Sequence, residues 1–326
     1  LLVCQASSEI GLGHLSRILV LAQALQIECG VCPHILIIGE LVERNELSQL
    51  SHSFHPEIDD FSTVILRQAN EHESRVVVFD LHPKLIPASM AALLRTLRAQ
   101  NVRTVGIDSL LALCVELDLM WVPTFSLPAG KVPLQCSNVR YGWDTFLLRK
   151  TMPSRSWLPG SRVLVLTGGG DTTQQGDWLP ALMDSKLSAG TEVHWVRGLF
   201  AVQPRLPVAP RLKWIVHTAP QGLDELMVHC NYAVAIFGIS FFELLQYGVP
   251  TVVFSPYGGK DDFELGTLRS EQVASVAADA TDAVHHLAKL MQDDVLARSY
   301  ATTATQLMSV NGAQALATRI FELSRS

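Results

Sequence analysis

The sequence has 326 residues, which suits two domains of about 150 residues better than a single core. Hydrophobic residues make up 48% of the chain and charged residues 17%, so the composition excludes a largely disordered protein. The formal net charge of −6 provides no broad basic surface. We therefore expect no nucleic-acid partner, although a helix start can still bind a small anion.

No segment of the sequence is apolar for long enough to span a membrane. The most apolar stretch, Tyr232 to Phe242, is far shorter than the ~20 residues that a membrane helix needs. The first residues lack the pattern of a secretory signal, so we expect a cytoplasmic protein. Among the six cysteines, Cys29 and Cys32 form the one close pair, and we expect thiols without a metal or redox role. The composition gives no indication of the oligomeric state.

Strand-like and helical segments alternate almost from end to end, which predicts parallel sheets with crossover helices. In the first half the predicted strands are Leu1–Ala6, His34–Ile38, Val76–Asp80, Val102–Ile107 and Leu119–Val122, and the predicted helices are His14–Glu28, Leu41–Leu50 and Pro87–Gln100. In the second half the predicted strands are Val163–Leu166, Glu192–Val196, Trp214–Val216, Tyr232–Ile236 and Thr251–Phe254. The predicted helices there are Leu179–Leu187, Leu223–His229, Ser240–Tyr247 and the carboxyl-terminal part of the chain.

The two halves are separated by residues 152–160, a segment with prolines and polar residues that is typical of a linker. We predict an N-terminal domain over residues 1–152 and a C-terminal domain over 161–326, with the last helix packing back onto the first domain. The expected fold class is α/β, with two doubly wound, Rossmann-like domains that face each other across a cleft. Such sheets bind ligands at the carboxyl ends of their strands, so we expect function in the strand-to-helix loops.

The loop after the first predicted strand carries the first candidate residues. Gly11 and Gly13 permit close backbone approach at a helix start, where free amides favour negative charge. His14 lies at the positive end of that helix, which favours the neutral imidazole that a general base requires. A tight turn with a capping His14 is the alternative. A dinucleotide fingerprint fits only in part, because Ser16 stands at its third glycine, although Glu40 lies near the place of its acid.

Two loops of the second half are the other main candidates. Gly169 and Gly170 lie in a glycine-rich turn whose amides suit a phosphate, although the lysine of a P-loop is missing. Gly238 and Ser240 start a short helix whose amides suit phosphate oxygens, and Glu243, one turn later, suits a ribose diol. The alternative for Glu243 is a favourable interaction with its own helix dipole.

Three further side chains follow predicted strands. Asp80 and Asp108 end strands at the expected crevice, and His217 ends the strand before a short helix, where a base or sugar would rest. Capping of the following turns is the alternative for the two aspartates, and a strand-end histidine with its hydrogen bonds satisfied is the alternative for His217. The pair Asp261 and Asp262 has no accompanying His or Cys, so we expect no metal site and no cofactor.

Taken together, these segments resemble the UDP-sugar hydrolase of pseudaminic acid biosynthesis and the related spore-coat polysaccharide proteins, a family of the GT-B superfamily. The resemblance covers most of the chain and keeps the order of the motifs. It rests on four segments, namely residues Gly11 to Arg17, Val105 to Asp108, Tyr141 to Arg149 and Gly168 to Asp171.

The resemblance implies an enzyme that hydrolyses a UDP-sugar at the anomeric carbon with inversion, for surface-glycan synthesis. His14 would activate the water, Arg17 of the same motif would contact substrate, and the region from Gly238 to Glu243 would hold the nucleotide without a metal. Ile239 stands where that family has a glycine, which puts the donor in question. The alternatives are an inverting glycosyltransferase, a non-catalytic nucleotide-sugar-binding protein and a dinucleotide-dependent oxidoreductase.

Overall fold

The computed structural model describes residues 1–7, 10, 12–40, 44–56, 60–171, 173–198, 201–220 and 222–326. The chain divides into two compact units, one formed by Leu1–Leu148 with Val310–Ser326 and the other by Arg149–Ser309. The segment 152–160 belongs to the second unit, where the Trp157 indole donates a hydrogen bond to the Asn231 carbonyl oxygen at 2.6 Å.

The first unit contains a seven-stranded parallel sheet in the order β3-β2-β1-β4-β5-β6-β7. Its strands are β1 (Leu2–Ala6), β2 (His34–Gly39), β3 (Ser51–His55), β4 (Val76–Asp80), β5 (Arg103–Ile107), β6 (Leu119–Trp121) and β7 (Val139–Arg140). The α-helices between them are α1 (Gly13–Cys29), α2 (Phe61–Glu71) and α3 (Met90–Ala99).

The second unit contains a six-stranded parallel sheet in the order β10-β9-β8-β11-β12-β13. Its strands are β8 (Arg162–Leu166), β9 (Glu192–Arg197), β10 (Lys213–Thr218), β11 (Tyr232–Ile236), β12 (Thr251–Phe254) and β13 (Ser275–Val276). Its helices are α4 (Leu179–Lys186), α5 (Asp224–His229), α6 (Ile239–Gln246), α7 (Asp262–Glu271), α8 (Ala280–Leu290) and α9 (Asp294–Leu307). The last helix, α10 (Gly312–Leu323), belongs to the first unit and packs on α1.

Helices cover both faces of the first sheet, and the burial of its central strands follows from that arrangement. All five residues of β1 and of β4 are buried, as expected for parallel strands covered on both sides. Successive side chains point to opposite faces, so Leu2 packs in one apolar cluster with α1 and α10 and Val3 in another with α2 and α3.

The strand order creates a topological switch point in each unit. In the first, β1 lies between β2 and β4, and the chain leaves β1 toward α1. In the second, β8 lies between β9 and β11 in the same way. Crevices at the carboxyl ends of such strands are where open parallel sheets bind ligands. The loops that begin after Ala6, Leu166 and Ile236 are at these positions.

Some predicted elements were wrong or missing. In place of a helix over Leu41–Leu50, the described residues form a short 3-10 helix, Asn45–Gln49, that leads into β3, while 41–43 lie outside the described part. The edge strand β3 is polar and lacks the apolar alternation that identifies a strand. Helix α2 was also missed, although Asp60 caps it by accepting a hydrogen bond from the Thr63 amide at 3.1 Å.

The expectation that all cysteines are thiols was wrong for one pair. Cys114 and Cys136 form a disulfide with a Cα–Cα distance of 6.0 Å, 22 residues apart in the sequence. The pairing depends on how the turn after β5 meets the loop after β6, which gives no local sequence signal. Cys29 and Cys32 are free. Throughout the described part of the chain, every helix is too short or too polar to cross a membrane.

Candidate functional site

His14 is the second residue of α1, directly after the switch point of the first sheet. Helix α1 begins at Gly13 without a side-chain cap, so its first amides depend on other partners. The His14 residue is 8% exposed. A Cβ atom at Gly13 would meet no atom within 4 Å, so this position borders open space. Gly11 lies outside the described residues.

The imidazole of His14 is oriented by Asp80, the last residue of β4. Strand β4 pairs with β1 with Asp80 opposite Cys4, which places the carboxylate beneath the start of α1. The distance from His14 Nδ1 to Asp80 Oδ1 is 2.7 Å. A carboxylate only accepts, so we assign the hydrogen to Nδ1, which leaves the lone pair on Nε2. That tautomer allows His14 to take a proton through Nε2.

Arg17 holds the same carboxylate from one turn further along α1. Its Nε donates to Asp80 Oδ2 at 2.8 Å and its Nη2 donates to Asp80 Oδ1 at 2.7 Å. Asp80 is fully buried, and its two oxygens accept the hydrogen bonds from His14 and Arg17. Burial lowers the pKa of Arg17, but hydrogen bonding and charge from Asp80 and Asp108 outweigh it and raise that pKa.

Asp108 forms the outer edge of this cluster. Its carboxylate lies 3.2 Å from Arg17 Nη1, and its side chain is 45% exposed. The backbone adopts a left-handed conformation with φ of +59° and is held by a hydrogen bond from the Asp108 amide to the Trp121 carbonyl oxygen at 2.9 Å. The Asp108 carboxylate is therefore more exposed than the Asp80 carboxylate, which is fully buried.

Two residues near His14 were missed in the sequence. The His82 ring lies edge-on to the His14 ring, with ring centroids 5.8 Å apart. Gln5 fixes that segment, because its Oε1 accepts from the His82 amide at 2.8 Å and its Nε2 donates to the Leu85 carbonyl oxygen at 3.3 Å. The available signal was Gln5 itself, a polar residue within the otherwise apolar strand β1.

In the second unit the glycine-rich turn follows β8. Gly168 has a φ of +86°, which favours glycine, and Gly170 is half-buried. A Cβ atom at Gly169 would meet nothing within 4 Å, whereas one at Gly198 would collide with the Gly169 carbonyl oxygen. Residue 198 therefore has to be glycine for the backbone to pack against Gly169. The Cα hydrogens of Gly169 border open space among the described residues.

Two polar side chains next to this turn, Asp171 and Thr167, differ in their hydrogen bonding. The Asp171 carboxylate accepts hydrogen bonds from the Gln175 and Gly176 amides at 2.9 and 2.7 Å, so it caps the following turn. The hydroxyl of Thr167 is buried and has no hydrogen-bond partner in the described part of the chain. An unsatisfied hydroxyl at the carboxyl end of β8 is the type of group that a bound polar ligand satisfies.

Helix α6 starts after β11, beside the glycine-rich turn in the sheet order. Gly238 precedes the helix, and a Cβ atom there would meet nothing within 4 Å. Ile239, the first helical residue, is 49% exposed. Ser240 follows and hydrogen-bonds to the carboxyl group of Glu243. The first turn thus presents backbone amides beside open space, an arrangement that can bind an anion.

Glu243, one turn into α6, carries a carboxyl group whose pKa is raised. Burial raises its pKa to about 7, aided by the negative charge of Asp224 and opposed by the Ser240 hydrogen bond and the Arg149 charge. Asp224 is itself held in place by hydrogen bonds from the Tyr247 hydroxyl and, at 3.2 Å, from the Thr151 amide. Glu243 can therefore change protonation near neutral pH.

His217 lies near the carboxyl end of the edge strand β10, within a chain of hydrogen bonds. Its Nε2 is 2.9 Å from His194 Nδ1, and His194 Nε2 is 2.8 Å from Glu192 Oε1. Because Glu192 accepts from His194 Nε2, His194 Nδ1 carries no hydrogen and accepts one from His217 Nε2, which leaves His217 Nδ1 as an acceptor. Burial, with the charge of His194, lowers the pKa of His217.

The expected residues therefore form separate groups at the carboxyl edges of the two sheets. In the first unit the structure brings together His14, Arg17, Asp80 and Asp108. In the second unit Gly238, Ile239, Ser240 and Glu243 share one turn and helix, Gly169 and Gly170 share the turn after β8, and His217 lies two strands away from β8.

A cavity of about 320 Å³ in the first unit lies elsewhere. It opens at the amino ends of β1, β2 and β4, and its lining includes His34, His72 and Arg75 but none of the site residues named above. Within the described ranges, no group of three or more His, Cys, Asp or Glu side chains is arranged to hold a metal ion.

Comparison with known proteins defines the class of fold. No protein-family model and no curated protein sequence matches the chain. Solved structures match over nearly the whole chain, and they show that it has the GT-B fold with two parallel-sheet α/β domains, which confirms the fold class predicted from the sequence.

Three of these structures illustrate the similarity. UGT2 of Phytolacca americana, in complex with UDP-2-fluoro-glucose and pterostilbene, is 14% identical with a TM-score of 0.68, covering 100% of this chain and 99% of its own. MurG of Acinetobacter baumannii is 12% identical with a TM-score of 0.67, covering 98% and 99%. The glycosyltransferase SnogD of Streptomyces nogalater is 17% identical with a TM-score of 0.63, covering 99% and 98%.

Proposed function

We propose that the chain is a glycosyltransferase that uses a nucleotide-sugar donor, with His14 as the catalytic base. The observation that carries the proposal is the 2.7 Å contact between His14 Nδ1 and the buried carboxylate of Asp80. This contact fixes the ring orientation and leaves Nε2 as a proton acceptor. A histidine that only capped or packed α1 would not need a fully buried carboxylate as its partner.

The proposed reaction is a single displacement at the anomeric carbon. Nε2 of His14 takes the proton from an acceptor hydroxyl, and the acceptor oxygen forms the new bond to that carbon. The bond between the carbon and the phosphate oxygen breaks, and the nucleoside diphosphate leaves with the electron pair. The Asp80 carboxylate stabilises the imidazolium that forms. Direct displacement inverts the anomeric configuration.

The second unit supplies the proposed donor site. Backbone amides at the start of α6, from Gly238 to Ser240, bind the diphosphate, and Glu243 accepts hydrogen bonds from the ribose hydroxyls. The turn with Gly169 and Gly170 contacts the phosphate or sugar part. His217 contacts the base or sugar through Nδ1. The open space at Gly169 and at Gly238 supports this assignment, because no atom of the described residues lies within 4 Å of a Cβ built at either glycine.

Transfer to an acceptor is proposed in preference to the hydrolysis that the sequence suggested first. The structural neighbours whose names state an activity include the glycosyltransferase SnogD and the forosaminyltransferase SpnP, which supports the alternative considered with the sequence. UGT2 carries UDP-2-fluoro-glucose and LpCGTa carries UDP, so UDP is the first nucleotide to test. The link to surface-glycan synthesis stays a prediction from the family resemblance.

The test combines ligand binding with turnover in the full chain. Thermal unfolding is measured with UDP, CMP, GDP, dTDP and NAD, and a specific ligand at ~100 times its Kd adds about 2.7 kcal/mol to the stability. Turnover of UDP-glucose and UDP-N-acetylglucosamine is then followed with a pool of hydroxylated acceptors. We expect His14→Ala to keep UDP binding and to lose at least about 10²-fold in turnover. The matched control is His285→Ala, at an exposed histidine of α8.

The outcomes separate the alternatives. Turnover that persists in His14→Ala contradicts the proposed base, and stabilisation by no nucleotide contradicts the donor site. UDP binding without turnover of any donor supports a non-catalytic nucleotide-sugar-binding protein. Release of free sugar and UDP at an acceptor-independent rate supports a hydrolase. Stabilisation by NAD alone supports an oxidoreductase.

A further inference from the structure

Arg17 uses all three nitrogens of its guanidinium group inside the cluster around His14. Nε and Nη2 bond to the two oxygens of Asp80 at 2.8 and 2.7 Å, and Nη1 lies 3.2 Å from Asp108. Nη2 also lies 3.1 Å from His14 Nδ1. The Arg17 side chain is 16% exposed. An arginine engaged in this way is poorly placed to bind a substrate phosphate, so its role lies in the cluster itself.

The negative charge of Asp80 acts on the protonation of His14, and Arg17 lies where its positive charge can offset it. Asp80 is fully buried, and a lone carboxylate in contact with an imidazole favours the protonated ring, by about 1–3 pH units for an opposite charge within 4–6 Å. A protonated His14 cannot take a proton from an acceptor. The orienting carboxylate therefore lowers the fraction of neutral His14 before the reaction unless its charge is offset in part.

We propose that Arg17 is a positioning residue that keeps His14 in its neutral, proton-accepting form by neutralising Asp80. The importance for turnover rests on the proposed function, but the charge effect on the imidazole does not. Arg17 offsets the carboxylate along two short hydrogen bonds and places its own positive charge next to Nδ1, which also disfavours the imidazolium. The buried carboxylate can then orient the ring while Nε2 stays unprotonated before the reaction.

The other groups that face His14 are consistent with this role. The His82 ring contacts it edge-on from the segment after β4. Cys4 of β1 is opposite Asp80 in the sheet register, and burial, with the charge of Asp80, raises the pKa of its thiol, so that it stays neutral. Asp108 on the β5 side is 45% exposed, so solvent weakens its charge. Among the residues that the structure describes, Arg17 is the cation in direct contact with both His14 and Asp80.

The test is an NMR titration of histidine-labelled full-length protein, which needs no substrate. The His14 signal is assigned by its loss in His14→Gln, and its protonation midpoint is compared in the parent protein, Arg17→Gln and Arg17→Lys. We expect Arg17→Gln to raise the midpoint by at least about 1 pH unit. Arg17→Lys keeps the positive charge and should keep most of the original midpoint. An unchanged midpoint in folded Arg17→Gln overturns the proposal.

A second comparison guards against a variant that does not fold. Asp80→Asn combined with Arg17→Gln removes both charges, so no buried charge is left without a partner. Relative to Asp80→Asn alone, we expect this double variant to raise the midpoint, because the cation next to Nδ1 is lost. No difference between the two contradicts a charge effect. In turnover assays, the acidic limb of the kcat/KM profile should move with the NMR midpoint, whereas a purely structural role would lower activity at every pH.

Discussion

Asp80→Asn tests the cluster at its centre, because it removes one charge and leaves the shape of the side chain unchanged. The Asp80 oxygens accept three hydrogen bonds, one from His14 and two from Arg17, at 2.7 to 2.8 Å. An amide has one oxygen, so the variant turns an NH2 group toward a donor. If the oxygen keeps the position that serves His14 and Arg17 Nη2, the NH2 group faces Arg17 Nε.

Asp80→Asn is expected to lower both the stability of the fold and kcat. The Arg17 charge would lose its buried partner, and breaking a buried pair in this way costs about 3–5 kcal/mol. The imidazolium that forms during the proposed reaction would lose a carboxylate at 2.7 Å, so we expect kcat to fall by at least about 10²-fold, the lower end of what a general base supplies.

Urea unfolding and steady-state turnover of the full chain measure these effects. The control is Glu116→Gln, which removes a carboxylate whose partner Arg95 lies 2.8 Å away with a 59% exposed side chain, so we expect a loss below about 1 kcal/mol. If Asp80→Asn had the same unfolding free energy in urea as the parent protein, the buried-pair argument would be refuted. A kcat within tenfold of the parent value would refute the role of Asp80 in orienting and stabilising His14.

Three further predictions concern the second unit and the disulfide. Gly238→Ala should raise the Kd for UDP at least about tenfold in calorimetry, with little change in stability, since the new Cβ meets no atom of the described residues within 4 Å. Gly266→Ala, at an equally open position on α7, should leave the Kd unchanged. Glu243→Gln should match the parent protein in unfolding free energy near pH 4.5, and its advantage should grow as the pH rises to about 7. There the ionised carboxyl group costs the parent fold about 3 kcal/mol. Cys114→Ser should lower the unfolding free energy under oxidising conditions by about 3 kcal/mol, because the bond to Cys136 closes a loop of 22 residues; equal urea midpoints would contradict it.

The direction of the Glu243 effect follows from its raised pKa. In the unfolded chain this carboxyl group ionises near its usual value of 4.5, but in the folded protein it ionises near 7. Folding therefore favours the protonated form, and stability is lost as the pH rises between these two values. If the stability difference between Glu243→Gln and the parent protein stayed constant from pH 4.5 to pH 8, the raised pKa would be wrong.

Much of the fold was predictable, because buried parallel strands are continuous apolar runs. Tyr232–Ile236 and Thr251–Phe254 were predicted with their observed bounds. Strand β3 was not, since Ser51–His55 lies at a sheet edge and is polar, so its pairing with β2 depends on the neighbouring strand and not on its own pattern. Helix α2 was missed although Asp60, a residue type that favours helix N-caps, directly precedes it.

The sequence was enough to predict which residues belong to the candidate site, but it was not enough to predict the contacts between them. His14 and Asp80 each followed from their positions next to a strand, but their hydrogen bond joins residues 66 apart in the chain. The contact is set by the register of β4 on β1, which the sequence does not encode locally. The same reasoning explains why the engagement of Arg17 and the pairing of Cys114 with Cys136 were missed.

The anomeric configuration of the product tests the central claim most directly. Donor and product are followed by proton NMR during turnover of a UDP-sugar that stabilises the protein, with and without an acceptor. We predict an acceptor-dependent product with the configuration at the anomeric carbon inverted, and no such product with His14→Ala. A product that retains the donor configuration would contradict a single displacement with His14 as the base.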